Sequence, residues 1–143
     1  MSVILTQTDT TVGFLSHNAQ KLYEIKSRQT SKPFIKVYRD FACFLNDANR
    51  VPQNFKNEIR RSKKTTFIVK NRAFRVAKPP LNSQILNDLK WSFSTSANKS
   101  GKNFNREICE DKADIIIEDK NNLSEKSSSK LYKVGLNKKR RLR

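Results

Sequence analysis

The sequence predicts an α/β domain, because segments typical of strands interleave along the chain with segments of helical periodicity. Residues 3–5, 34–38 and 115–117 are short runs rich in apolar residues, whereas residues 41–48 carry apolar side chains at helical spacing. The chain has 143 residues, 36% of them hydrophobic, which is enough for one domain with its own core. We therefore expect a single domain over residues 1–143, with residues 136–143 as a basic tail that can be flexible.

The individual elements follow from local apolar patterns and from the positions of proline. Strands are predicted at residues 2–6, 34–38, 65–69, 72–77, 91–93, 113–118 and 131–134. Helices are predicted at residues 17–27, 39–48, 52–59, 81–90 and 103–111. Pro33 prevents the first helix from continuing, and Pro52 is well placed to start the third. The apolar runs at residues 3–5 and 115–117 are typical of buried strands, and the Thr-rich residues 8–13 form a loop between elements.

The formal net charge of +17 favours polyanions as partners, with nucleic acid or a nucleotide as the first class to consider. The surplus is local, because residues 56–78 and 130–143 are strongly basic while residues 107–126 are acidic. Arg60, Arg61, Lys63 and Lys64 form the densest group within the first of these stretches. The alternative for the basic tail is a solvated chain end without a specific contact.

Cysteine and histidine are too sparse for a zinc site or for histidine-based catalysis. Cys43 and Cys109 are far apart, and His17 is the only histidine. Two cysteines do not make a disulfide framework, so a reduced, cytoplasmic protein is the simpler expectation. The sequence shows neither a signal peptide nor an apolar segment of about 20 residues, and we expect no membrane partner.

Three polar stretches carry the chemistry of a ligand site. Residues 94–101, Ser-Thr-Ser-Ala-Asn-Lys-Ser-Gly, lie where a strand hands over to a helix and offer hydroxyls, an amide and backbone N–H groups to an anion. Lys26, Arg28 and Lys32 are three close cations that a polyphosphate would separate. Residues 8–13, Thr-Asp-Thr-Thr-Val-Gly, offer hydroxyls and a carboxylate that can hold an ammonium group. The alternatives are a capped polar turn for the first stretch and a cationic helix end for the second.

Taken in order, these stretches resemble the YrdC/YciO family, whose well-known members are L-threonylcarbamoyladenylate synthases. Residues 8–13 resemble the family's Thr-Asp-Thr-Val-Tyr-Gly loop, and Lys26-Ser27-Arg28 with Lys32-Pro33 resembles its Lys-x-Arg and Lys-Pro element. Residues 73–76 are similar to its Ala-Val-Arg-Val strand, and residues 94–101 to its Ser-Thr-Ser-Ala-Asn-Leu-Ser-Gly signature. The resemblance covers nearly the whole chain.

The resemblance implies a twisted, open, mixed sheet with flanking helices and a positively charged concave face. It implies synthesis of threonylcarbamoyl-AMP and pyrophosphate from L-threonine, bicarbonate and ATP, with magnesium accompanying the ATP at a site that the sequence does not mark. The product would pass to a threonylcarbamoyl transferase complex that modifies adenosine 37 of tRNA. Carried over residue by residue, L-threonine would contact Thr10, Arg75, Ser96 and Ser129. ATP would contact Lys26, Arg28, Lys32 and Asn98, with Arg143 or Arg141 as a late contact.

The chain departs from the family pattern mainly around the expected threonine pocket. Gln7 replaces a proline, Val12 a tyrosine and Val37 a histidine, and Ser62-Lys63-Lys64 replaces a Pro-Gly-Pro turn. The added charge at Arg60, Arg61, Lys63 and Lys64 supports an alternative function, a non-catalytic YrdC-like protein that binds tRNA or double-stranded RNA. A third interpretation, an unrelated basic scaffold protein, requires the motif order to arise by chance.

Overall fold

A computed structural model describes residues 2–26, 34–77, 88–99, 101–118 and 122–143. The described strands are β1 (Ile4–Gln7), β2 (Val12–Ser16), β3 (Ile35–Tyr38), β4 (Thr65–Val69), β5 (Arg72–Val76), β6 (Trp91–Ser96), β7 (Ile115–Ile117), β8 (Lys130–Val134) and β9 (Lys139–Arg141). The described helices are α1 (Ala19–Lys26), α2 (Phe41–Asn46), α3 (Lys56–Arg61) and α4 (Arg106–Lys112), and a 3₁₀ turn at Gln53–Phe55 precedes α3. The predicted α/β class is confirmed.

The strands of the described residues form one mixed sheet in the order β7-β1-β2-β6-β3-β5-β4-β8-β9. Three neighbouring pairs are parallel, namely β1 with β7, β3 with β5 and β4 with β8. The other pairs are antiparallel. β1 lies between β7 and β2, so the prediction of an inner first strand is confirmed. The helix predicted at residues 81–90 lies largely outside the described residues.

The described helices pack on one face of the sheet over two apolar clusters. Leu22 of α1 and Cys109 of α4 join the first cluster, around Phe14 of β2. Phe44 of α2 and Ile59 of α3 join the second, in which Phe44 stacks on Phe74 of β5 with 4.3 Å between ring centroids. Side chains alternate across a strand, so the strand residues next to Phe14 and Phe74 point to the opposite face of the sheet. The described helices leave that face open.

Side-chain caps determine where α2 and α4 begin. The Asp40 carboxylate accepts a hydrogen bond from the Cys43 amide at 2.8 Å, and the Asn105 side chain accepts one from the Ile108 amide at 3.2 Å. Each cap satisfies an amide that has no partner within the helix. None of the helices in the described part of the chain is both long and apolar enough to cross a membrane.

The prediction of a loop throughout residues 8–13 was wrong at its end, because β2 begins at Val12 and continues to Ser16. A glycine inside a strand usually indicates an interruption. Here the sheet requires it, since a Cβ atom on Gly13 would lie 3.1 Å from the Thr95 carbonyl oxygen and 3.2 Å from Thr8 Cγ2. Gly13 therefore allows the loop and β6 to approach β2 closely.

The two edges of the sheet also differ from the predictions. β7 was predicted to be buried, but it is an edge strand, and Ile115 and Ile116 are 44% and 43% exposed. The predicted basic tail contains β9, which pairs with β8 and places Arg141 opposite Tyr132. A strand of lysine and arginine is difficult to recognise by apolar pattern, yet charged side chains are common on edge strands because they oppose pairing with other chains.

Replacing Gly13 with alanine should destabilise the fold by about 1–3 kcal/mol, the usual cost of adding a methyl group to a well-packed interior. The closest obstacle is a backbone carbonyl of the paired strand, which has little room to move. Urea denaturation of Gly13→Ala and Gly135→Ala measures the effect. Gly135 is the matched control, because its nearest obstacle is 3.8 Å away. Equal stability of the two variants would contradict the proposed crowding at Gly13.

Candidate functional site

A cavity of about 480 Å³ lies on the sheet face opposite the helices. Its walls come from the centre of the sheet, from the loop between β1 and β2, and from the end of the chain. Five of the residues predicted to bind ligands line it, namely Thr10, Arg75, Ser96, Ser129 and Arg143. The fold therefore brings together side chains from positions 10 to 143 of the chain. The volume is within the range of small-molecule sites, about 300–1,000 Å³.

Arg75 projects from β5 into the cavity and forms a buried ion pair with Asp9. Its Nε lies 3.2 Å from both carboxylate oxygens of Asp9, and a terminal nitrogen lies 3.2 Å from Oδ1. The two side chains are only 4% and 7% exposed. A guanidinium carries five N–H donors, so this pair orients Arg75 without using all of them. Asp9 thus fixes the direction in which the remaining donors of Arg75 point.

Arg143 closes the cavity from the end of the chain. Its Nε donates to the Ser129 carbonyl at 2.9 Å, and a terminal nitrogen donates to the Ser129 hydroxyl at 3.0 Å. That hydroxyl lies 2.7 Å from the hydroxyl of Thr66 on β4. The Arg143 carbonyl in turn accepts from the Leu131 amide at 3.0 Å, which continues the pairing with β8. Arg143 is therefore part of the site.

The two guanidinium groups are close enough to influence each other. Burial holds the pKa of Arg143 below its usual value, and repulsion from the charge of Arg75 lowers this pKa further. Asp9 is the carboxylate that pairs with Arg75, which leaves one positive charge in excess among these three groups. An anion bound between Arg75 and Arg143 would relieve the repulsion, so the cavity has the charge of a carboxylate or phosphate site.

The loop between β1 and β2 presents hydroxyl groups to the same space. The Thr8 hydroxyl donates to the Thr11 carbonyl at 2.7 Å and accepts from the Thr10 amide at 3.2 Å. The hydroxyls of Thr8 and Thr10 are 3.3 Å apart. These bonds give the loop a defined shape and place Thr10, which is buried, at the cavity wall.

Lys26, Ser96 and Asn98 form one hydrogen-bonded network at the rim. The Lys26 ammonium at the end of α1 donates to the carbonyl oxygens of Ser96 and Asn98 at 3.1 and 2.5 Å, and to Asn98 Oδ1 at 2.8 Å. The Ser96 hydroxyl donates to the same Oδ1 at 2.7 Å. The predicted threonine contact and two predicted ATP contacts are therefore linked, and Lys26 holds the turn after β6 in place.

Each of the remaining predicted residues is either outside the described part of the chain or away from the cavity wall. Arg28 and Lys32 fall outside the described residues, so their predicted ATP contacts stay predictions. Arg60, Arg61, Lys63 and Lys64 lie at the end of α3 and the start of β4, and none of the four lines the cavity. All four are exposed, and the Lys64 carbonyl accepts from the amide of Lys130, the first residue of β8.

Sequence reasoning missed Thr66, which is fully buried and contacts Ser129. The signal that could have found it is the pairing of β4 with β5, which places Thr66 directly opposite Arg75. Thr66 thus shares a sheet face with Arg75, and this is the face that carries the cavity. That pairing depends on register, which the sequence alone does not specify.

The predicted magnesium ion stays a prediction, because the described part of the chain does not mark its site with a cluster of metal ligands. No group of three or more His, Cys, Asp and Glu side chains is positioned there to hold a metal. Asp9, the carboxylate beside the cavity, is already paired with Arg75. Magnesium bound mainly through ATP phosphates would need few protein ligands.

Comparison with known proteins gives a consistent family assignment. The family model of Sua5, YciO and YrdC proteins, described as "Telomere recombination", matches residues 2–143. The chain belongs to the Sua5/YciO/YrdC family. No curated protein sequence matches it.

Solved structures of several proteins share the fold. Sua5 from P. abyssi, solved in complex with L-threonine, superposes with a TM-score of 0.76 at 18% identity, over 99% of this chain and 50% of that one. YciO from E. coli gives a TM-score of 0.73 at 17% identity, over 99% and 82%. Full-length HypF, in a phosphate- and nucleotide-bound form, gives 0.73 at 14% identity, over 99% and 26%. The predicted YrdC-like sheet is confirmed, and the chain spans about half the length of the P. abyssi Sua5 chain.

Replacing Lys26 with methionine should lower stability by about 1.5–3 kcal/mol, because several acceptors of the turn no longer receive a charged donor. Thermal and urea unfolding without any ligand measure this effect. Lys99→Met is the control, since Lys99 is exposed on the same turn. If the two variants are equally stable, Lys26 does not support the turn, and a role limited to ligand contact becomes the better explanation.

Proposed function

We propose that this protein is an L-threonylcarbamoyladenylate synthase, which joins L-threonine, bicarbonate and ATP into threonylcarbamoyl-AMP and pyrophosphate. The product would serve the threonylcarbamoyl modification of tRNA, through a downstream transferase complex and in the cytoplasm. The observation that carries the proposal is the cavity lined by Arg75, Arg143 and several hydroxyl groups, in which Asp9 pairs with Arg75 from beside the wall. Family membership and the threonine-bound Sua5 neighbour support it.

The cavity is complementary to a free α-amino acid. The carboxylate of L-threonine would lie between Arg75 and Arg143, where it relieves their repulsion. Its hydroxyl would face the hydroxyls of Thr10 or Ser96, and its amino group would point toward the side of the cavity where Asp9 pairs with Arg75. Ser129 would hold Arg143 in the orientation that this contact needs, through the two hydrogen bonds between them.

ATP would bind with its phosphates at the rim beside the turn after β6. Ser96 belongs both to the cavity wall and to the network of Lys26 and Asn98, so this turn is where the two substrates would meet. Arg28 and Lys32 are proposed as further phosphate contacts. The structural neighbour HypF is phosphate- and nucleotide-bound in its solved structure, which supports nucleotide binding by this chain.

The reaction needs no protein nucleophile. The threonine amino group and bicarbonate condense to a carbamate with loss of water. The carbamate oxygen attacks the α-phosphorus, and the bond from the α-phosphorus to the bridging oxygen of the β-phosphate breaks to release pyrophosphate. The contribution of the protein is to hold the carbamate in line with the leaving group and to neutralise charge. Arg75 and Arg143 would position the carbamate by holding the amino-acid part of the molecule. Lys26, Arg28 and Lys32 would neutralise the charge of the phosphates.

Incubation with ATP, bicarbonate and labelled L-threonine should yield pyrophosphate and labelled adenylate in equal amounts. The double variant Arg75→Gln with Asp9→Asn should reduce threonine affinity about 10- to 100-fold, because it replaces the buried ion pair by a neutral pair and removes the charged donor. Calorimetry measures this affinity, and Lys133→Gln is a control with an exposed cation on β8. Absence of both products at saturating substrates would contradict the synthase. Unchanged threonine affinity in the double variant would contradict the site.

A second candidate function is RNA binding without catalysis, favoured by the exposed cations at the junction of α3 and β4. Replacing Lys63 and Lys64 with glutamine should lower the slope of log affinity against log salt by about one for each lysine that touches a phosphate. Filter binding of a tRNA between about 50 and 200 mM salt measures the slope. Lys112→Gln is the control, since Lys112 is exposed on α4, which packs on the other core cluster. If the slope falls as much in Lys112→Gln as in the variant of Lys63 and Lys64, a specific contact between these two lysines and RNA phosphates would be contradicted.

A further inference from the structure

A second cavity, of about 370 Å³, lies on the helix-covered face of the sheet. It opens between the residues that follow α2 and the hairpin that joins β4 to β5. Its walls include Phe44 and Arg50 on the α2 side, and Lys70, Arg72 and Phe74 on the hairpin side. These five residues are separate from the described residues that line the first cavity.

The β4–β5 hairpin separates the two cavities. Ile68 and Ala73 line the first cavity, whereas Val69 and Phe74, the next residues in the two strands, line the second. This division follows from the alternation of side chains across a strand. A ligand in the second cavity would therefore be a different molecule, or a different part of a long one, from the ligand in the first.

The floor of the second cavity is apolar and rigidly packed. Phe44 and Phe74 are 1% and 4% exposed, and their rings stack at 4.3 Å. Val69 beside them is 7% exposed. This floor belongs to the second core cluster, so its position does not depend on a ligand. The small part of these side chains that stays accessible lines the cavity and gives it a preformed apolar base.

The rim carries three cations that converge from two parts of the chain. Lys70 and Arg72 are exposed on the hairpin, and Arg50 is held just after α2 by a hydrogen bond from its guanidinium to the Asn49 carbonyl at 2.7 Å. The described residues that line this cavity include no carboxylate. Asp47, the acid nearest in sequence to Asn49, is already engaged by Lys36 at 2.7 Å and by the Tyr38 hydroxyl at 2.6 Å. Three like charges around a concave surface favour an anion there.

We propose that this second cavity binds a nucleoside phosphate, with the phosphate at Arg50, Lys70 and Arg72 and the ring over the apolar floor. Two guanidinium forks and an ammonium group suit phosphate better than a single carboxylate. The volume is at the lower end of the range for small-molecule sites, so it suits one nucleotide unit. A free nucleotide and one unit of an RNA chain share this chemistry, and binding experiments with each distinguish the two sources.

Amide NMR spectroscopy of the labelled protein can locate the ligand by residue. We expect AMP to shift the resonances of Ala48, Lys70 and Arg72 in a saturable manner, with inorganic phosphate at least fivefold weaker because it lacks the ring. A short single-stranded RNA is the second probe. Tighter binding of the RNA than of AMP at these residues identifies an RNA unit as the source, and the reverse identifies a free nucleotide. Shifts confined to Ile68, Asn71 and Ala73 would mean that AMP enters only the first cavity, and would overturn the proposal.

The variants Arg72→Gln and Lys70→Gln should each weaken AMP at the second cavity at least fivefold, whereas Lys133→Gln should not. All three residues are exposed, so the fold should tolerate these changes, and each change removes one positive charge. An equal loss of affinity in Lys133→Gln would mean that only the overall charge of the protein matters, and would overturn the site. Equal affinity for AMP and inorganic phosphate would overturn it as well. The result does not depend on synthase activity, because binding in each cavity is followed through the amide resonances of different residues.

Discussion

The buried ion pair between Arg75 and Asp9 is the interaction on which the candidate site depends. It joins the middle of the sheet to the loop between β1 and β2, through contacts of 3.2 Å between two buried side chains. Removal of either partner would leave an uncompensated buried charge, which typically costs several kcal/mol. The pair therefore fixes the loop, directs the free donors of Arg75 into the cavity, and leaves Arg143 as the excess positive charge. Recognition of a carboxylate follows from that imbalance.

The rest of the fold keeps this arrangement accessible. The described helices pack on one face of the sheet, where their apolar side chains form two core clusters. The other face can then carry polar side chains such as Thr66, Arg75 and Ser94 without breaking the core. Gly13 lets the Thr-rich loop approach β6, and the pairing of the chain end with β8 brings Arg143 to the cavity. Each of these features is a packing requirement that also shapes the site.

Much of this architecture could be predicted from the sequence, because most elements have a clear apolar period. The buried strands β1 and β4 are local features of the sequence, and so is the polar turn at residues 94–101. The predictions were wrong where the conformation or exposure of a segment depends on its neighbours in the fold and not on its local sequence. Gly13 looks like a loop residue until β6 is placed beside it, and the apolar run of β7 looks buried although no further strand of the described chain covers its edge.

Residues of the site could be predicted when they belong to a sequence motif. They could not be predicted when only the pairing register of the strands brings them to the site. Arg75 and Ser96 belong to motifs and were expected at the site, whereas Thr66 lies opposite Arg75 and contacts Ser129 of the cavity wall only because of the register of β4. The hydrogen bonds of Lys26 to the turn after β6 span 70 to 72 positions of sequence and could not be inferred from either stretch alone. The sequence predicts a phosphate contact at Lys26, and the structure adds a supporting role in the fold.

In the proposed complex, Arg75 and Arg143 together receive the carboxylate of an amino acid. The most direct test is NMR spectroscopy of the arginine side-chain Nε–H groups during titration with L-threonine and, in parallel, with L-threoninol, which lacks the carboxylate. We predict that L-threonine shifts the Nε–H resonances of both Arg75 and Arg143 with a common saturation curve, while L-threoninol leaves them nearly unchanged. Equal shifts with both compounds, or no shift of either resonance with L-threonine, would contradict carboxylate recognition by this pair.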